Sequence, residues 1–285
     1  MRRVVVTGAN KGIGKAIAIR ILAEQTDTFV YLGARNAPRG QAARDEILAT
    51  QPDWSDRLAV LQLDVTDADS IARAAAQVAP LFGLVNNAGT GEGDLQTILG
   101  VNFFGLRAVT EQMLPLLDET NGRIVQVSSA SGPMFVSRCS PARQQAFTNP
   151  DITRQDLDAL IDAVNQHGAS PQDLAQHGFG DGRAYGLSKA LVNAYTILLA
   201  RERPNLTINA CTPGFIETDM TRHYAVASGQ TPAQMGMKQP MDGALSPLFL
   251  LFGDVQGNGR FYGSDAKRSP LDRYRSPGDP EYTGD

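Results

Sequence analysis

Val4-Val5-Val6-Thr7-Gly8-Ala9-Asn10-Lys11-Gly12-Ile13-Gly14 stands at the start of the chain, and its reading decides the fold. Three β-branched residues in a row predict a buried strand. A glycine-rich turn follows, and after it Ala16, Ile17, Ile21 and Leu22 recur at helical spacing. Glycines at 8, 12 and 14 let the backbone turn sharply and let a pyrophosphate approach with no Cβ in its way. The helix start aims free N–H groups and a partial positive charge at such an anion. Gly8, Asn10, Lys11, Gly12, Ile13 and Gly14 are therefore candidate cofactor contacts. The spacing is G-x-x-x-G-x-G, not G-x-G-x-x-G, and an ordinary strand-to-helix turn is the alternative.

Working outward, Phe29–Leu32, Leu58–Leu63, Leu84-Val85, Arg123–Val127, Thr207–Cys211 and Arg260–Tyr262 read as strands. Arg44–Ala49, Ile71–Val78, Gln96–Leu117, Ala184–Arg201 and Gly243–Phe252 read as helices, the second opened by a capping box of Thr66 and Asp69. Such alternation predicts an α/β fold, a Rossmann-type doubly wound parallel sheet with helices on both faces. The strands are almost wholly apolar, as double coverage requires. Between about 141 and 183 the pattern gives way to a polar, helix-capable stretch and then to Gly178, Gly180 and Gly182. We read one domain, 1–285, with an insertion there and an irregular proline-bearing tail from about 269.

The 285 residues carry 26 basic and 30 acidic side chains, a formal charge of −4. Scattered charge of this sign argues against nucleic acid as a partner. No apolar run reaches the roughly 18 residues of a membrane span. The fold begins at once, leaving no room for a targeting segment before it. Two cysteines, Cys139 and Cys211, suit a reducing, cytoplasmic setting. His167, His177 and His223 stand far apart without ligand spacing, so no metal site is expected.

Two local features bear on chemistry. The second strand ends Gly33-Ala34-Arg35, with a guanidinium where NAD enzymes place a carboxylate for the ribose hydroxyl. Arg suits a 2′-phosphate, Lys11 adds a second charge, and NADP(H) is the expected cofactor. Tyr185 and Lys189 project from one face of a helix a turn apart. An ammonium about 4 Å from the phenol is worth roughly 4 kcal/mol to the phenolate at a dielectric near 20. That would lower a tyrosine pKa of about 10 by up to about three units.

Gly8-x-x-x-Gly12-x-Gly14, Asn86-Asn87-Ala88-Gly89, Asn102, Ser128-Ser129, Tyr185-x-x-x-Lys189 and Pro213-Gly214 follow one another in order. This constellation resembles the short-chain dehydrogenase/reductase family over essentially the whole chain. The resemblance implies that Tyr185 is the acid/base and that Lys189 lowers its pKa and binds the nicotinamide ribose. It also implies that Ser129 holds the substrate carbonyl and that Asn102 anchors a proton-relay water. Asn86, Ala88 and Gly89 would shape the cofactor floor, Asp64-Val65 would contact adenine, and Pro213, Gly214, Ile216 and Thr218 would support the carboxamide. Thr7 is a structural hydroxyl in such proteins.

Ser129 and Tyr185 are separated by 55 residues, where about a dozen is usual in the family. That gap, with Ser137–Gln145 and Ala34-Arg35-Asn36, is similar to the monomeric NADPH-dependent carbonyl reductases. The resemblance implies a monomer whose extra helix covers the dimer face, and a small-molecule carbonyl substrate. Phe215 would form part of the substrate wall with Met134, Phe135, Met235 and Met237, under a lid running from His223 to Gln239. A non-catalytic NADPH-binding regulator and a sugar-nucleotide epimerase are the other readings.

Overall fold

The computed structural model describes residues 1–284. In chain order its elements are β1 (Arg2–Val6), α1 (Gly12–Glu24), β2 (Thr28–Ala34), α2 (Ala37–Thr50), β3 (Leu58–Gln62), α3 (Ala68–Ala75) and β4 (Gly83–Asn86). Next come α4 (Leu95–Leu99), α5 (Leu106–Met113), β5 (Arg123–Val127), α6 (Ser131–Val136), α7 (Pro141–Thr148), α8 (Arg154–His167) and α9 (Pro171–Gln176). The chain closes with α10 (Ala184–Glu202), β6 (Thr207–Cys211), α11 (Asp219–Ser228), α12 (Leu245–Phe252), β7 (Phe261–Tyr262) and β8 (Arg268–Ser269).

One sheet runs β3-β2-β1-β4-β5-β6-β7-β8, parallel except for β8. Side chains alternate across it, as strand geometry dictates. Val4 and Val6 join the core under α1, α2 and α12, whereas Val5 joins the core under α3, α5 and α10. The strand order reverses between β1 and β4, opening a crevice at their carboxyl ends where α/β sheets bind ligands.

Four readings of the sequence are corrected. The stretch 96–117 is not one regular helix: Gly100–Gly105 forms a π-helical segment between α4 and α5. The cap of α3 is Asp67, whose carboxylate accepts from the Asp69 and Ser70 N–H groups, while Thr66 bonds Asp64. Tail residues Arg268-Ser269 add a strand, and Arg275 pairs with Asp265 in a largely buried ion pair. His167 and His177 are brought ring to ring.

The insertion is a layer rather than a loop. Leu157, Leu160, Ile161 and Val164 of α8 are buried in the same core as Phe103, Val109 and Tyr195. Across that seam Arg154 bridges Glu111 of α5 and Glu202 of α10, and Arg107 reaches Asp158.

Candidate active site

The glycine turn is a cradle with no spare volume. A Cβ on Gly8 would lie 2.9 Å from Ala88 Cα, and one on Gly14 would lie 2.5 Å from Gly8 O. Gly8 and Gly12 also adopt positive φ of 63° and 55°. Lys11 gives α1 no side-chain cap, so the first N–H groups of the helix have no side-chain acceptor. Thr7 is structural: its Oγ1 accepts from Asn87 N and Ala88 N at 2.9 Å. Such a cradle fits a dinucleotide pyrophosphate.

Side-chain positions bear on three of these assignments. Asn86 does not face the crevice; it is buried and donates to Thr110 Oγ1 and Gln126 Oε1. Its neighbour Asn87 supports the turn by donating to the Thr7 and Gly8 carbonyls. The period-2 alternation at the end of β4 was the available signal for this exchange. Val65 is a core side chain, and Asp64 is engaged by Thr66. Arg35 stands exposed just beyond β2, but Lys11 does not join it; its Nζ lies 2.7 Å from Asp219 Oδ2 on α11.

The catalytic candidates converge at the carboxyl end of β5 and the first turns of α10. Ser129 sits one residue beyond a buried Ser128, whose Oγ donates to Lys189 O and pins α10 to the strand. The Ser129 hydroxyl accepts from Ser131 N and neighbours the Tyr185 phenol, whose pKa it lowers. Lys189 Nζ donates to Val127 O at 3.0 Å and lies 5.8 Å from the Tyr185 ring centroid. Burial pulls this ammonium down from its usual 10.5 to about 8.

The phenol does not behave as the spacing suggests. Burial pushes Tyr185 above the usual tyrosine range, and the neighbouring Ser129 hydroxyl opposes this. Lys189 has one donor committed to the Val127 carbonyl, and burial of the phenol outweighs the lowering expected from the spacing. Asn102 is fully buried in the π-helical segment. Its amide accepts from Thr90 N and donates to Thr90 O and Ser188 Oγ. It thereby ties the β4 loop to α10 beside Lys189.

Met134, Phe215 and Tyr224 are exposed apolar side chains on the segments flanking Tyr185, and Tyr224 is near enough to raise the Tyr185 pKa. Met220 of α11 meets the β4 loop at Gly91, and Tyr224 follows one turn later. Both were missed from sequence because no local pattern marks which face of a lid looks inward. Phe135 instead packs edge-on against Phe147 in the core, and Met237 is buried beneath the lid. The segment read as a lid from His223 begins with helix α11 at Asp219, and Glu217 N donates to Lys238 O across its base. Thr218 sits over the glycine turn, with Cγ2 3.5 Å from where a Gly12 Cβ would be.

Residues 2–141 match the short chain dehydrogenase family. Carbonyl reductase (NADPH) 1 of Homo sapiens is 32% identical over 86% of this chain and 89% of its own length. The Sus scrofa protein of that name is 33% identical over 91% of each. Salutaridine reductase from Papaver somniferum superposes with a TM-score of 0.75 at 26% identity, covering 92% of this chain and 99% of that one. With its parallel sheet, glycine cradle and Tyr-x-x-x-Lys helix, the chain belongs to the short-chain dehydrogenase/reductase family.

Proposed function

We propose that this protein reduces ketones and aldehydes to alcohols, with NADPH as the reductant. One observation carries the reading: Ser129 at the end of β5 acts directly on the Tyr185 phenol, and the Lys189 ammonium lies 5.8 Å from that ring, one helical turn on. NADPH, when bound, supplies the hydride to the carbonyl carbon. The α1 N-terminus and Gly8–Gly14 would hold its pyrophosphate, Arg35 its 2′-phosphate, and the Pro213–Thr218 segment its carboxamide end.

Ser129 donates a hydrogen bond to the substrate oxygen and stabilises the charge that grows there. Tyr185, kept protonated by burial, delivers its proton to that oxygen. Lys189 stabilises the resulting phenolate, and Asn102 fixes the wall behind it. Met134, Phe215, Met220 and Tyr224 give an apolar, adaptable mouth suited to hydrophobic carbonyl compounds. The α8 layer over α5 and α10 supports a monomeric, single-domain protein, and two buried free thiols, Cys139 and Cys211, suit a reducing cytoplasmic setting. No helix among the described residues is long and apolar enough to cross a membrane.

The direct test is loss of NADPH absorbance with a panel of aromatic ketones, aldehydes and quinones. No consumption above the protein-free rate for any of them would overturn the reading. Arg35→Asp should lower kcat/KM for NADPH by roughly 100-fold, because a charge-assisted phosphate contact becomes a repulsion. Rates with NADH should change by less than about threefold; an equal loss for both would leave Arg35 a solvated surface charge. Sedimentation of the purified chain should give a single species at the 30.6 kDa monomer mass.

A further inference from the structure

His167 and His177 are ten residues apart in sequence, yet the α8–α9 hairpin lays their imidazoles face to face. The ring centroids are 3.5 Å apart and the planes differ by 11°. Asp173 completes the group, with Oδ1 3.3 Å from His177 Nδ1. One ligating atom from each of the three lies within 4.8 Å of the other two. Nothing in the catalytic arrangement uses these side chains.

We propose that His167, Asp173 and His177 form a binding site for a divalent transition-metal ion of the kind imidazole prefers, Zn2+ above all, with water completing its shell. The donor set selects the ion. Two imidazoles and one carboxylate suit Zn2+, Ni2+ or Cu2+, whereas Mg2+ and Ca2+ take oxygen ligands. Three protein donors and water are a usual Zn2+ complement.

Two features of the surroundings favour a cation. His167 closes α8 and His177 directly follows α9, so both rings stand at helix C-termini, the negative ends. Asp173 adds a full negative charge beside them. His177 Nδ1 lies 2.9 Å from Asp173 O; donating its hydrogen to that carbonyl fixes the ring and leaves Nε2 with the free lone pair.

The backbone is already held for the purpose. Ser170 caps α9 by accepting from Asp173 N, and a Cβ on Gly182 would collide with Pro171 O. Binding then requires the half-buried His167 ring to turn about its Cβ–Cγ bond, while the Asp173 carbonyl keeps His177 in place. The bound ion would staple the end of α8 to α9, the last helix before Tyr185.

The test uses tag-free protein, since a polyhistidine tag would compete, with ZnCl2 followed by calorimetry and by thermal melting. One Zn2+ should bind per chain and raise Tm by about 3 °C at saturation. His167→Gln and His177→Gln should each weaken binding at least tenfold and abolish the rise, whereas His223→Gln should change neither. NADPH turnover by the metal-free His167→Gln protein should match the parent. Should either histidine variant fail to fold, Asp173→Asn removes the charge with little change of shape and should weaken binding alone. Absence of saturable one-to-one binding, or full affinity in the two histidine variants, would overturn the assignment.

Discussion

Tyr185→Phe should lower kcat for carbonyl reduction by about three orders of magnitude, the scale of a lost general acid, while leaving NADPH affinity within about twofold. The ring fills the same space in both proteins, so only the hydroxyl, with its proton and its polar contact with Ser129, is lost. Burial holds the parent phenol above the usual tyrosine range, so it is protonated at neutral pH and ready to donate. Alcohol oxidation needs the opposite form and should therefore be slower at pH 7 and rise with pH. Single-turnover rates in both directions check this, and turnover by the Phe variant within tenfold of the parent would remove Tyr185 from the chemistry.

The second large effect concerns Lys189. Lys189→Met should reduce turnover at least 100-fold, because the phenolate left after proton transfer loses its neighbouring cation. Yet the variant should be more stable. Folding lowers this ammonium from 10.5 to about 8, so below pH 8 the native state carries a charge it disfavours, at a cost of about 3 kcal/mol. Stability of the parent should rise between pH 8 and 10.5, where the folded state binds fewer protons than the unfolded one; the variant should lack that rise. Losing the bond to Val127 O offsets about 1 kcal/mol, leaving a Tm gain of about 5 °C near pH 7. Reductase activity of the parent should fall above pH 8 as Lys189 loses its charge. A variant melting below the parent would show that the buried ammonium is not under strain.

Periodicity and glycine punctuation made most of this architecture legible before any coordinates. Val4–Val6, Leu84-Val85 and Arg123–Val127 became strands because no other element buries such runs on both faces. Tyr185 and Lys189 were readable because one helical turn fixes their common face. The direction of a side chain at the end of a strand was harder to see. Asn86 and Asn87 are chemically identical, and only the pleat decides that one enters the core and the other supports the turn.

Long-range electrostatics were beyond sequence altogether. Nothing local to Lys11 announces Asp219, 208 residues away, as its partner, and nothing local to His167 announces His177 across a helix hairpin. The Tyr185 pKa fails for a related reason: spacing supplies a cationic neighbour but not the burial that overrides it.

The C-terminal segment carries three prolines and no helix, which usually marks the part of a chain that the first protease removes. Arg275, however, has its guanidinium sunk between Asp265 and Ser269, with its side chain only 6% exposed. Trypsin must extract that group before it can cut, leaving a carboxylate stranded inside, a change that costs several kcal/mol for a buried pair. Digestion of the native protein should therefore nick the exposed Arg273 first and spare Arg275 until the whole molecule opens, so an irregular backbone here gives no licence for a loose one.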